Sequence, residues 1–422
     1  MKGSTVRRKN TRVAGRGSTK ARGDSAEARV NEGACAARDA VDEEKPSRPR
    51  IGFHAGIAGG LQNALLKAQS LGADALQIFS RNPRGWKARP LEDEDVETFK
   101  RVRAEVGITP VVVHANYLIN LAAADEGIRE KSVASFREEV ERCLRLGADY
   151  LVVHPGSARG ACEPDGLRTC SESLNAACEG LELGEFRILL ENTAGQGECI
   201  GHRFEHLREI AERCPGLNLG VCLDTAHAFT AGYDIRDEDG CAAAFDSLER
   251  NVGLSNVRAV HFNDSKAVYN SRVDRHFHIS LGHIGAAALA RVAREPRLAH
   301  AAFILETPQD ELGDDARNLS MLRSFITTAP NLEETALMDI QLKDRSAGPH
   351  YLQIREQIEA RIRDKQLSTG DALPSPASLA AKLSIDRGEV QRAYFELEHA
   401  GLVSKTVGKD FLGKEKVAYT VR

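Results

Sequence analysis

From Ile51 onward, short runs of aliphatic and β-branched residues recur along the chain, each followed by a longer stretch in which apolar positions fall three to five apart. The runs Ile51–His54, Ala75–Phe79, Val111–His114, Tyr150–His154, Arg187–Glu191, Leu219–Asp224, Arg258–Phe262 and Ala302–Glu306 predict strands. Between two of them, Glu126–Leu146 sets Ile128, Val133, Phe136, Val140 and Leu144 on one face of a predicted helix. Strand followed by helix, eight times over, predicts an α/β protein whose parallel strands close into a (β/α)₈ TIM barrel over residues 50–330.

The pattern changes on either side of the barrel. Residues 331–349 are polar and read as a linker. In residues 350–422, Tyr351, Ile354, Ile358 and Ile362 begin a helix, Leu379 and Leu383 mark a second, and Val390, Tyr394 and Leu397 a third. Leu402–Lys405 and Val417–Val421 then suit a small β-wing, so the module is expected to be a winged helix-turn-helix. Residues 1–49 are rich in Gly, Ala, Ser, Lys and Arg and lack the large apolar residues that would offset the entropy of ordering them. They read as a disordered basic tail, with Lys2, Arg7, Arg8, Lys9, Arg12, Arg16, Lys20 and Arg22 all ahead of the first acidic residue, Asp24. Two roles fit it: a solvated extension, or weak attraction to DNA phosphates.

Composition narrows the class. The 422 residues are 42% hydrophobic with a formal net charge of −4, so affinity for a polyanion must come from local patches. The nine cysteines include no C-x-x-C pair, which reads as reduced thiols. No apolar run reaches the roughly 18 residues a membrane span requires, and no signal-peptide pattern opens the chain, so a cytoplasmic protein without a membrane partner is expected.

The chemistry concentrates at the predicted strand ends, where His114, His154, Glu191, Asp224, His261 and Glu306 stand at or beside the last position. In a barrel of this kind that edge is the active-site face. His227, Asp274 and His276 follow in the adjoining loops. One such histidine is ordinarily hydrogen-bonded structure and one such carboxylate half of an ion pair. Nine together at one rim must be neutralised, because burying them uncompensated is costly, and divalent cations do this. The set exceeds what one four-coordinate ion uses, so two or three ions are implied, three being favoured, with a carboxylate such as Glu191 as a bridge. Histidine and carboxylate donors without thiolate fit Zn2+, with Mn2+ or Fe2+ also compatible. Close-set ions of this type suit hydrolysis of a phosphate ester.

These residues lie in longer strings: Gly52-x-His54, Asn82-Pro83-Arg84-Gly85-Trp86, His114-Ala115-Asn116-Tyr117-Leu118-Ile119-Asn120-Leu121, His154-Pro155-Gly156-Ser157 and Leu190-Glu191-Asn192-Thr193-Ala194-Gly195-Gln196-Gly197. Cys222-Leu223-Asp224-Thr225-Ala226-His227, His261-Phe262-Asn263-Asp264-Ser265-Lys266, Ser271–His276 and Leu305-Glu306-Thr307 continue the series. In that order, from Ile51 to about Ile326, they resemble the endonuclease IV family. The resemblance implies a first zinc on His114, His154 and Glu191, a second on Glu191, Asp224, His261 and Glu306, and a third on His227, Asp274 and His276. It implies cleavage of double-stranded DNA 5′ to abasic sites, leaving a 3′-hydroxyl, and trimming of blocked 3′ ends. For that reaction Glu191 and Glu306 are the candidate catalytic carboxylates, either one assisting removal of the water proton. Arg84, Tyr117 and Leu118 match the family residues that enter the duplex at the lesion. For Tyr117 and Leu118 the bland reading is core packing. His54 reads as support for the ligands or as core, and His202 and His206 as ordinary surface histidines.

The strings Tyr351-Leu352-Gln353-Ile354, Gly370-Asp371-Ala372-Leu373-Pro374-Ser375 and Ala400-Gly401-Leu402-Val403 resemble the winged-helix domain of GntR-type regulators. Ala377 and the string Asp386-Arg387-Gly388-Glu389 stand where that family carries a basic residue and a hydroxyl-rich helix start. Two acidic groups at the groove-facing end weaken phosphate contact, while Arg387 and Arg392 remain as DNA-binding candidates. The module is therefore expected either to grip DNA or to contact protein. Two other readings of the chain remain open: a metal-dependent sugar isomerase or epimerase on the same barrel, and a winged-helix regulator with an inactive barrel.

Overall fold

The computed structural model describes residues 48–311, 313–327, 340–367, 369, 371–409 and 415–422. The basic tail expected over residues 1–49 lies outside these apart from its last two positions, where Arg48 pairs with Asp74 at 2.8 Å.

Eight parallel strands close the barrel: β1 (Arg50–Ala55), β2 (Ala75–Phe79), β3 (Val111–His114), β4 (Tyr150–Val153), β5 (Arg187–Glu191), β6 (Leu219–Asp224), β7 (Val257–His261) and, after the two-residue pair β8 (Asp264–Ser265) and β9 (His276–Phe277), β10 (Ala302–Leu305). Closure is made by β1 against β10, with Ile51 opposite Phe303. Each predicted run forms a strand. His154 and Glu306 fall one residue beyond theirs. Helices such as Glu126–Leu146 pack outside, and the strands are buried on both faces, which is why their sequences are continuous apolar runs.

The interior of the barrel explains where the polar residues end up. Val112, Val152, Leu189, Cys222 and Ala259 form one inner cluster, and Ala75, Ala302 and Ile304 another. Gly52 belongs to the same tightly filled level, since a Cβ there would lie 2.1 Å from the carbonyl oxygen of Ala75. Side chains alternate along a strand, so two residues further on the chain again faces inward. Those positions are His54, Gln77, His114, His154, Glu191, Asp224, His261 and Glu306, one from every strand or its first following residue.

The C-terminal module has its own core of Ile354, Ile358, Leu379, Val390, Tyr394, Leu397 and Val403. Its helices span His350–Arg363, Pro376–Leu383 and Arg387–His399. The wing is β12 (Val403–Lys409) with β13 (Glu415–Val421), and β11 (Ala372–Leu373) pairs with β13. Ile340 and Leu342, which the sequence assigns to the linker, pack on this core.

Candidate metal centre

Six of the nine ligand-type residues, His114, His154, His227, Asp274, His276 and Glu306, line a cleft of about 900 Å³ at the C-terminal rim, and Glu191, Asp224 and His261 lie fully buried against them. Their donor atoms form three groups, each within 4.8 Å: His114 with His154 and Glu191; Glu191 with Asp224, His261 and Glu306; and Asp224 with His227 and His276. Asp274 adjoins the third, its Oδ1 3.0 Å from His227 Nε2 and 3.6 Å from His276 Nε2. Glu191 is shared by the first two groups, as its sequence context implies. Asp224 is shared by the second and third, a feature the sequence reading misses.

Hydrogen bonds fix which imidazole nitrogen faces the centre. His114 Nδ1 donates to Ala115 O (2.8 Å), His227 Nδ1 to Asn192 O (2.9 Å) and His276 Nδ1 to Glu306 O (3.3 Å), because a carbonyl can only accept. His261 Nε2 donates to the Gln77 carbonyl at 2.8 Å. In a neutral ring the other nitrogen then presents a lone pair. Those nitrogens face carboxylate oxygens: His114 Nε2 lies 3.3 Å from Glu191, His276 Nε2 3.4 Å from Asp224, and His261 Nδ1 2.9 Å from Glu191 and 3.2 Å from Glu306. Lone pairs pointing at anions repel unless positive charge lies between them. Glu191 Oε2, His227 Nε2 and His276 Nε2 are buried without a hydrogen-bond partner, which is the signature expected of atoms that serve as ligands. The residues fit divalent cations.

Electrostatics agree. Burial acts to strip the proton from His114 and His227, yet Glu191 on the first, and Asp224 and Asp274 on the second, hold both above the ordinary imidazole range. Burial would raise the carboxyls of Glu191 and Glu306, but His261 first among the facing histidines holds both below the usual carboxylate range. Without an ion the centre demands protons in its place.

Amides orient the ligands. Gln77, fully buried, donates from Nε2 to Glu306 Oε1 (2.5 Å) and to His54 Nδ1 (2.9 Å) while accepting from His261. Asn263 donates to Asp224 Oδ2 at 2.7 Å, and Asn192 accepts from the Asp224 backbone N–H at 2.7 Å. Sequence reasoning passes over Gln77, although its register beside His54 on the inward row is the signal that finds it.

Arg84, Tyr117 and Leu118 sit beside this cleft. Arg84 is exposed on the loop after β2, and Tyr117, 61% exposed after β3, is not a core residue. Leu118 is half-buried. Asn116 ties the two loops, donating to Gly85 O (2.6 Å) and accepting from the Leu118 N–H (2.7 Å). Arg387 and Arg392 lie in the module instead. Arg387 faces Glu311 at 3.7 Å, and Arg392 stacks 3.9 Å from the Tyr351 ring centroid. His206, expected at the surface, is buried: its Nδ1 accepts from the Gly201 N–H at 3.0 Å, and its Nε2 lies 3.3 Å from Glu163.

Residues 65–325 match the family described as xylose isomerase-like TIM barrel, and residues 350–411 the family described as bacterial regulatory proteins, gntR family. A protein of Chloroflexus aggregans named "Probable endonuclease 4" is 46% identical over 281 residues, covering 66% of this chain and 98% of its own. The crystal structure of endonuclease IV from Thermus thermophilus superposes with a TM-score of 0.60 at 43% identity, over 66% of this chain and 98% of that one. A D-tagatose 3-epimerase-like protein, 22% identical with a TM-score of 0.51 over 65% of this chain and 96% of its own, shares the fold alone.

Proposed function

The chain belongs to the endonuclease IV family within the xylose isomerase-like TIM barrels, and from that premise we propose that it hydrolyses the phosphodiester 5′ to abasic sites in double-stranded DNA, leaving a 3′-hydroxyl, and removes 3′ blocking groups. The observation that carries the reading is the chain of three donor groups linked through Glu191 and Asp224, opening into a cleft flanked by the exposed Tyr117 and Arg84.

His114, His154 and Glu191 would hold one ion, Glu191, Asp224, His261 and Glu306 a second, and His227, Asp274 and His276, with Asp224 alongside, a third. Zinc matches the nitrogen and carboxylate donors, with Mn2+ or Fe2+ as substitutes. Bound ions of this kind supply Lewis acidity, activating water near neutral pH and stabilising charge on the phosphate and the departing oxygen. Glu306 or Glu191 takes up the proton as water attacks. Gln77 holds Glu306 Oε1, which leaves Oε2 turned toward His261. Tyr117 and Leu118 wedge into the stack at the lesion while Arg84 contacts the strand beside it. Unstacking costs least where a base is missing, and that difference selects the lesion. Such a substrate keeps the enzyme with the nucleoid in the cytoplasm.

A sugar epimerase shares the barrel but has no use for a third donor group or for an exposed aromatic at the mouth of a small pocket. Glu191→Gln tests the proposal: incision of an abasic duplex is abolished while binding to that duplex and folding persist. Full activity in this variant contradicts it.

A further inference from the structure

The module touches the barrel with the end of its helix-turn-helix that would face DNA. Ser375 directly precedes the helix Pro376–Leu383, its carbonyl accepting from the Leu379 N–H at 2.9 Å, and Arg387 opens the helix Arg387–His399. In helix-turn-helix proteins these are the positions from which hydroxyls, arginines and helix N-termini reach backbone phosphates and base edges. Here both residues address one carboxylate of the barrel. Ser375, buried at 4% exposure, donates its hydroxyl to Glu311, and the Arg387 guanidinium lies 3.7 Å from Glu311 Oε1.

Glu311 is placed for this and for little else. It stands five residues beyond Glu306 in the loop leading to the helix Asp314–Thr327, its side chain only 11% exposed. Burial and the adjacent Asp314 push its carboxyl upward, while Arg387 and Ser375 pull it back. Lys382, from the first helix of the same motif, adds a bond to the backbone oxygen of Ser280 at 3.4 Å. The rest of the groove-facing end is spent within the module: Glu389 accepts from the Tyr351 N–H at 3.0 Å and pairs with Arg345 at 3.1 Å.

We propose that Glu311 holds the place of a DNA backbone phosphate in the helix-turn-helix, so that docking of the module on the barrel and its grip on duplex DNA exclude each other. A carboxylate and a phosphodiester are both monoanions that accept from a hydroxyl and a guanidinium. The exchange is therefore close to balanced, and duplex held at the neighbouring rim competes at high local concentration. The module is thus a second DNA grip that is closed while no DNA is present.

Binding of an undamaged, fluorescently labelled duplex to the full chain, followed by anisotropy over a range of salt, tests this. Glu311→Gln, which keeps the shape and the hydroxyl contact but removes the charge, is expected to bind about three- to five-fold tighter than the unaltered chain. Its dependence of log affinity on log salt should be steeper by about one, because one more phosphate is neutralised. Adding Arg387→Ala to Glu311→Gln must cancel both changes. Affinity unchanged or lowered in Glu311→Gln overturns the proposal, as does an increase that survives Arg387→Ala, which would belong to the barrel rim alone. Since the duplex carries no lesion and is not cut, neither result depends on the nuclease reading.

Discussion

Gln77 and His261 are joined by a 2.8 Å hydrogen bond in which the Gln77 carbonyl accepts the Nε2–H, leaving Nδ1 turned toward Glu191 and Glu306. The same amide donates to Glu306, so one neutral side chain sets the tautomer of one ligand and the rotation of another. Gln77→Met keeps the volume and removes both bonds together with the one to His54 Nδ1. Affinity for the ion that Glu191, Asp224, His261 and Glu306 would hold is expected to fall about 10- to 100-fold, measured as zinc retained after dialysis against graded chelator. Retention equal to that of the unaltered protein would show that packing alone orients these ligands.

How much of this is legible in the sequence depends on the residue. All eight barrel strands are readable, because strands buried on both faces leave largely apolar runs, and in seven of the eight, β2 being the exception, a His, Asp or Glu at or beside the end breaks the pattern. Gln77 does not stand out, since a neutral amide within Ala75–Phe79 looks like a tolerated polar residue. Only the alternation Ala75, Gln77, parallel to Val112, His114, exposes it. The helix Thr225–Ala231 has no amphipathic pattern, being started by the Asp224 side chain accepting from the His227 N–H. The contact between Glu311 and Arg387 joins two domains and leaves no periodic trace at all.

His206 supplies a pH dependence away from the metal centre. Burial lowers its pKa to about 4 from the ordinary 6.5, and its Nδ1 must stay unprotonated to accept from Gly201. A folded-state value below the unfolded one gives stability that is present above pH 6.5 and lost as pH falls toward 4. The urea midpoint should drop across that window, and His206→Gln should flatten the slope there. An identical slope in the variant would assign the acid sensitivity to other groups.

Asn116 is the link between the loop of Arg84 and that of Tyr117. Asn116→Ala leaves two partly buried backbone groups, Gly85 O and the Leu118 N–H, without that partner, at a cost of about 1 kcal/mol. If the two loops act on DNA as a unit, KM for an abasic duplex rises several-fold while kcat holds. A variant with lower stability but unaltered KM would separate the staple from lesion binding.

The central claim is that the three donor groups linked through Glu191 and Asp224 make this barrel a metal-dependent abasic-site nuclease. The direct measurement is incision of a duplex carrying one abasic analogue by metal-replete and chelator-stripped protein, in buffer without magnesium. Cleavage 5′ to the lesion is expected, lost on stripping and restored by zinc. A folded, metal-loaded protein that leaves the duplex intact would contradict it.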